Sequence, residues 1–272
     1  MKLYAICVYL FLYIPIGVIA LFSFNAGRHA SQLQGFSTKW YGKALNNPFV
    51  IDALETSLMV AFASALFASI FGTMAAVALQ GIRGPVRVAF DLLIYVAVMI
   101  PGIVIGIATL IGLVTVFDQL NPLIAAIWPD GFMPPKLRMG MGSLIAAHTM
   151  FLMALVVIIV RARLAGMDRT LTEASSDLYA TPMGTFRQVT LPMIFPAILA
   201  GFLLSFTFSF DDFIIAFFVA GSETTLPIYV FSSIRRGVTP EINAIGTMVL
   251  GVSLLMLITA QLLLQRGGKK SR

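Results

Sequence analysis

Six stretches of the chain run without a charged side chain for the length of a spanning helix, at 3–24, 56–80, 92–117, 139–160, 188–210 and 242–265. Each reaches the roughly 20 residues that an α-helix needs to cross a bilayer. No water reaches the backbone there, so a crossing segment must satisfy its own amides and carbonyls as a helix. The pattern predicts an all-α integral membrane protein with six transmembrane helices. The first run exceeds the core of a secretory signal and no clear small-residue cleavage site follows, so it is expected to persist as a helix kinked at Pro15. In the second run small residues recur every four positions, at Ala61, Ala65 and Ser69 and at Ala68, Gly72 and Ala76. Such stripes let helices approach closely, within one chain or between subunits. In the third run Pro101, Gly102 and Gly106 predict a kink, structural or gating.

Composition points the same way, with 59% hydrophobic residues, 11% charged residues and a mean hydropathy of +0.94. A soluble domain is far more polar. The net charge of +6 is explained by topology, because Lys and Arg segregate between alternate segments. The termini and the even-numbered loops hold Lys2, Arg83, Arg87, Arg161, Arg163, Arg169, Arg187, Arg266, Lys269, Lys270 and Arg272. The opposite side holds only Arg28, Lys39, Lys43, Lys136, Arg138, Arg235 and Arg236. Both termini are therefore expected in the cytoplasm, and no nucleic-acid partner is implied.

No loop is long enough for a soluble domain, so 1–272 reads as a single transmembrane domain with a cytoplasmic loop at about 164–193 within it. The chain has no Gly-rich phosphate loop ending in Lys-Ser or Lys-Thr, no metal-ligand cluster and no nucleophile–base pair. The single cysteine, Cys7, cannot form an internal disulfide, and His29 and His148 lie far apart in sequence. The expectation is a non-catalytic protein without a cofactor of its own. Uphill transport would draw energy from a partner subunit or an ion gradient.

The loop at about 164–193 carries two helix starts. Thr170-Leu171-Thr172-Glu173 has the spacing of a capping box, in which Thr170 would accept from the amide of Glu173 while the Glu173 side chain reaches back. A short helix should follow to about Leu178. Thr181-Pro182 supplies a second cap, with proline at the first helical position where its missing amide costs nothing. Leu191-Pro192 and Pro196 are expected to break the chain again as it turns into the membrane. The result is a compact helix-turn-helix elbow.

Glu173-Ala174-Ser175, position 179 and Val189-Thr190-Leu191-Pro192 resemble the EAA loop of ABC importer permeases, whose pattern is Glu-Ala-Ala, three residues, Gly, nine residues, Ile, one residue, Leu-Pro. In that family the loop is a coupling helix that docks in a cleft of the cytoplasmic ATPase. The resemblance assigns Glu173, Ala174, Ser175, Asp177, Leu178, Tyr179, Leu191 and Pro192 to ATPase coupling. Two departures stand out: Ser175 replaces the second Ala, and Tyr179 replaces a Gly suited to the left-handed turn that ends a helix. Either the turn is made differently, or Tyr179 gains contact with the ATPase. Gly35-Phe36-Ser37-Thr38-Lys39-Trp40-Tyr41 is similar to a segment common in type I importer permeases, and its aromatics also suit an interfacial anchor. From Leu204-Ser205-Phe206 through Asp211-Asp212 and Leu226-Pro227 to Gly237-Val238-Thr239-Pro240-Glu241-Ile242-Asn243-Ala244, the chain resembles the second permease subunit of spermidine/putrescine importers.

The resemblance implies the type I permease fold in a bacterial cytoplasmic (inner) membrane. It also implies a second homologous permease subunit, a pair of ATP-binding subunits that use ATP and Mg, a periplasmic substrate-binding protein and surrounding lipid. Putrescine or spermidine is the implied cargo, with an opine, thiamine or a phosphonate as alternatives. An ion-coupled secondary cation transporter using the acid pair, and a scaffold that transports nothing, are the competing classes. The transporter reading leaves the elbow unexplained and no inverted repeat is visible, while a scaffold would have no need for buried acids.

Asp211 and Asp212 raise their own question, because a carboxylate at the bilayer centre costs roughly 2.5–3.5 kcal/mol on insertion scales. At about 100° per residue, Gly201, Ser205, Ser209 and Asp212 share one face of the fifth helix, while Asp211 lies on another with Thr207. The expected substrate pathway is therefore Ser205, Ser209 and Asp212, with Asp212 as cation contact and Asp211 as its support. The alternative is a structural ion pair with Arg235 or Arg236.

Overall fold

The computed structural model of the protein describes residues 2–28, 32–129, 131–168 and 170–269, with side chains between 3 and 255. His29, Arg169, Lys270 and Arg272, used in the reading above, lie outside the described residues, as do the side chains of Lys2, Arg266 and Lys269. Among the described residues the chain is helical, with one isolated antiparallel bridge, Asn25 to Phe36, and no strand. The helices are α1 (Lys2–Ser23), α2 (Lys39–Leu45), α3 (Pro48–Gly81), α4 (Pro85–Met99), α5 (Gly102–Ile127) and α6 (Met141–Ala165). They continue as α7 (Thr170–Asp177), α8 (Pro182–Thr185), α9 (Leu191–Asp211), α10 (Ile214–Val219), α11 (Leu226–Arg236) and α12 (Pro240–Lys269). A π-helical turn, Phe186–Thr190, joins α8 to α9.

Five of these segments are long and apolar enough to cross a membrane: Leu3–Ser23, Pro48–Gly81, Gly102–Ile127, Met141–Ala165 and Pro182–Asp211. The sixth expected span begins as the shorter apolar stretch Pro240–Leu255 at the start of α12. The run at 92–117 is not a single kinked helix. It is broken between α4 and α5, where Ile100 is extended at φ −65°, ψ 133°. Pro101 causes the break, since a proline ring clashes with a helical conformation in the preceding residue. The spanning helix therefore starts at Gly102 and runs on to Ile127, with Pro122 inside it.

The chain divides into two compact units, Met1–Ala53 with Ile228–Arg272, and Leu54–Pro227. In the first, α1 and α2 pack against α12. Trp40 is buried and donates its indole N–H to the Asn25 carbonyl at 2.7 Å, while the Tyr41 and Ser23 hydroxyls meet at 2.6 Å. The aromatic segment thus fastens α2 to the end of α1, and only Phe36 stands fully clear. Glu241, buried at the start of α12, is held by Lys43 Nζ at 2.7 Å and by the Asn47 amide at 3.0 Å.

In the second unit α6 is the central element. A buried core joins Ala68, Ala76 and Leu79 of α3 to Leu152, Val156, Val157, Val160 and Leu164 of α6 and to Ile194 of α9. A Cβ on Gly72 would stand 2.8 Å from Val156, and one on Gly201 would stand 3.5 Å from the same side chain. Val156 is seated between two glycines, which is what the small-residue stripe of α3 makes room for. The intramolecular reading of that stripe holds at Ala61, Ala65, Ala68 and Ala76, all fully buried within the chain. Gly221 closes the turn after α10 at φ 60°, where an added Cβ would lie 2.4 Å from the Met139 carbonyl oxygen.

Candidate functional site

The elbow forms as two short helices and a π turn. The carboxylate of Asp168 accepts the Thr170 N–H at 2.9 Å and also the Thr170 hydroxyl, which hold its carboxyl below the ordinary range. The expected capping box is therefore replaced: Asp168 starts α7, and Thr170 lies in its first turn and donates. An ionised carboxylate is a stronger acceptor than a hydroxyl. Glu173 stays exposed on α7 with Ala174 and Asp177.

The C-terminus of α7 answers the question posed by Tyr179. Ala180 N–H bonds back to the Ser175 carbonyl at 3.1 Å and Tyr179 N–H to the Ser176 carbonyl at 2.9 Å. This is the double bond of a Schellman turn, and Tyr179 occupies its left-handed position at φ 58°. The turn is made as a glycine would make it, at a cost of roughly 1–2 kcal/mol for a residue with a Cβ. Nothing among the described residues compensates, for the Tyr179 side chain is 96% exposed beside Leu178 at 81%. Tyr179→Gly should therefore tighten the turn, slowing hydrogen exchange of the 178–180 amides about fivefold. Unchanged exchange would show that the left-handed residue carries no strain.

The second short helix starts as expected, with Thr181 Oγ1 accepting the Gly184 N–H at 3.1 Å and Pro182 in the first turn. Ser175 uses the hydroxyl that distinguishes it from Ala to meet Thr185 Oγ1 at 2.9 Å, tying α7 to α8. The expected breaks at Leu191-Pro192 and Pro196 do not occur, and the helical path runs from α8 through the π turn into α9. The Leu191 N–H reaches back to the Phe186 carbonyl, five residues earlier. Pro192 cannot donate and its ring crowds the carbonyl four residues before, so a wider turn accommodates it without ending the helix.

From this elbow α6 and α9 run antiparallel, with paired residues stepping down one helix as they climb the other. Arg163 donates to the Met193 carbonyl at 3.1 Å, Val156 faces Gly201, and His148 Nδ1 meets Ser209 Oγ at 2.7 Å. The acid pair closes α9, about 30 Å along its axis from Leu191. Asp212 ends the helix in an extended conformation, and its Oδ2 accepts the Ala216 N–H at 3.0 Å, capping α10.

His148 is 2% exposed, and its Nε2 faces Asp212 Oδ2 at 3.5 Å. That is ion-pair proximity rather than a formed hydrogen bond, and the nitrogen has no other partner among the described residues. The structure keeps the helical-wheel grouping and turns the face of Gly201, Ser205, Ser209 and Asp212 towards α6. Ser205 and Ser209 are buried within the chain, and Asp212 is tied to His148 and α10. Asp211 is the exposed carboxylate. The histidine was missed by sequence reasoning, although a signal existed: His148 and Asp212 each interrupt an apolar run, and polar groups in spans tend to face one another.

The elbow, the antiparallel α6–α9 pair and the apolar spans define a membrane-embedded permease, a non-catalytic subunit of an ABC importer. The chain belongs to the family described as binding-protein-dependent transport system inner membrane component, which it matches over residues 68–266. It is 38% identical over 264 residues to the putrescine transport system permease protein PotI of Escherichia coli strain K12, covering 96% of this chain and 89% of that one. It is 37% identical over 257 residues to the spermidine/putrescine transport system permease protein PotC of the same strain, covering 94% and 90%. Among solved structures, a bacterial ABC transporter importing the acidic polysaccharide alginate superposes with a TM-score of 0.76 at 17% identity, covering 98% of this chain and 94% of that one. The fold is that of type I importer permeases.

Proposed function

We propose that the chain forms one half of the translocation path of an importer for putrescine and spermidine. The observation that carries this reading is the similarity over most of both chains to PotI, named for putrescine, and PotC, named for spermidine and putrescine. A second, homologous permease chain supplies the other half, since one chain offers one elbow and ATP-binding subunits work in pairs. Those subunits bind ATP and Mg and dock on Glu173, Ala174, Ser175, Asp177, Leu178 and Tyr179, while a periplasmic binding protein delivers cargo to the opposite face. Both termini lie in the cytoplasm, as the Lys and Arg distribution favours.

The elbow transmits motion because it leads into α9 without a break. Closure of the ATPase pair moves α7 and α8, which the Ser175–Thr185 contact holds together. The π turn before Leu191 and Pro192 is the compliant point, having weaker packing than an α-helical turn. Beyond it α9 moves with α6, to which it is packed from Ile194 to Ser209. Asp211, at the far end, offers the cation an exposed carboxylate, and Asp212 keeps that end of α9 in place.

The test is ATP-driven uptake of labelled putrescine and spermidine by the reconstituted complex, competed by other cations, an opine, thiamine and a phosphonate. Uptake of either polyamine, little reduced by the competitors, is expected. No uptake of either would remove the cargo assignment.

A further inference from the structure

Beneath the elbow, where α3 and α6 end, lies a cavity of about 630 Å³ that the transport cycle described above does not use. Its lining includes Arg83 of the α3–α4 connection, Arg87 of α4 and Arg161 of α6. Asp91 is the carboxylate among them, in close contact with Arg161 and 3.8 Å from Arg87. Arg83 makes no ion pair among the described residues, and Asp168, a second carboxylate in the lining, is bonded by Thr170 and stays ionised. Three guanidinium groups against the two carboxylates Asp91 and Asp168 leave positive charge in surplus by one.

Leu79, Ile94, Ile158, Leu164 and Met167 give the wall an apolar part, beside polar Gln80 and Asp168. A cavity lined by three guanidinium groups together with apolar side chains, at the end of two spans, matches an anion carrying hydrocarbon, and basic pockets between spans bind phosphorylated head groups. Thr172 of α7 and Thr190 of the π turn also face it, so an occupant would touch both arms of the elbow.

We propose that this cavity binds the phosphate group of an anionic phospholipid and that the bound lipid braces the coupling elbow. Free phosphate shares the charge chemistry but not the apolar walls. The site rests on the chain spanning a membrane and not on its cargo, so the failure of polyamine uptake and the failure of lipid binding are separate results.

The test uses the whole importer complex in vesicles of phosphatidylcholine with increasing phosphatidylglycerol. Phosphatidylglycerol retained through delipidation is counted by native mass spectrometry, and orthophosphate binding is measured by equilibrium dialysis. Arg83→Gln with Arg87→Gln should lower lipid retention about 25-fold, each cation near a membrane surface being worth roughly fivefold. The charge-retaining pair Arg83→Lys with Arg87→Lys should keep more lipid than the glutamine pair. Arg161 is left intact to preserve its contact with Asp91, and Arg83→Gln alone serves if the double variant fails to assemble. Loss of lipid with no orthophosphate binding supports the lipid. Equal lipid retention in wild type and glutamine variants overturns it, and orthophosphate binding lost in those variants would then reassign the site to free phosphate. Equal loss in lysine and glutamine variants overturns the charge-based site.

Discussion

Glu173→Lys should lower ATP-driven transport by at least about tenfold while the subunit remains in the membrane at normal abundance. Truncating one partner of a hydrogen-bonded charge pair at an interface costs about 2–5 kcal/mol, and reversing the charge costs no less. The helix itself should survive, because its start is held by Asp168 and its body by Ser175 on Thr185, neither of which involves Glu173. A lysine in the first turn opposes the helix dipole by only about 0.3–1 kcal/mol. Glu173→Ala should fall between wild type and Glu173→Lys. Uptake by vesicles, normalised to the permease and to co-purified ATPase, is the measurement. A Glu173→Lys complex that assembles and transports like wild type would show that α7 does not couple through this residue.

Asp211→Asn and Asp212→Ala should separate transport from stability. Asp211 is exposed, so its neutralisation should leave abundance unchanged and reduce polyamine uptake about tenfold, roughly 1.4 kcal/mol of lost attraction at a partly hydrated site. Asp212→Ala removes the cap of α10 and the only acid beside His148 Nε2 among the described residues. Loss of a cap costs about 0.5–2 kcal/mol and an unsatisfied buried polar group about 1–3 kcal/mol. A change of that size lowers abundance several-fold. His148→Leu, which removes the unpaired nitrogen together with its need for a partner, should restore part of the Asp212→Ala abundance. Normal uptake by Asp211→Asn, together with impaired uptake and normal abundance for Asp212→Asn, would return the pathway role to Asp212.

Much of this protein is legible from its sequence because the bilayer imposes a one-dimensional rule. A segment either carries enough apolar residues to cross or it does not, and five spans and the start of a sixth follow from that rule. The elbow is legible for a related reason: caps and turns are made by residues within about five positions of one another, as Thr181-Pro182 shows. Local rules fail where two local solutions compete. Asp168 takes the start of α7 in place of Thr170, because its carboxylate, the stronger acceptor, draws in the N–H and hydroxyl of Thr170 and places that residue in the first turn. Tyr179 entered a left-handed turn against its own preference because two backbone hydrogen bonds closing α7 require that conformation.

By itself the sequence determined which segments are apolar enough to span, where the elbow lies, and that two carboxylates stand at the end of the fifth apolar run. Tertiary structure alone decided which carboxylate is free. Helical periodicity sets the angle between Asp211 and Asp212 about their own axis, but not the rotation of that axis against α6. Packing sets that rotation: Val156 fits between Gly72 and Gly201, and with the helices so placed Ser209 and Asp212 face a histidine on another helix, leaving Asp211 outside.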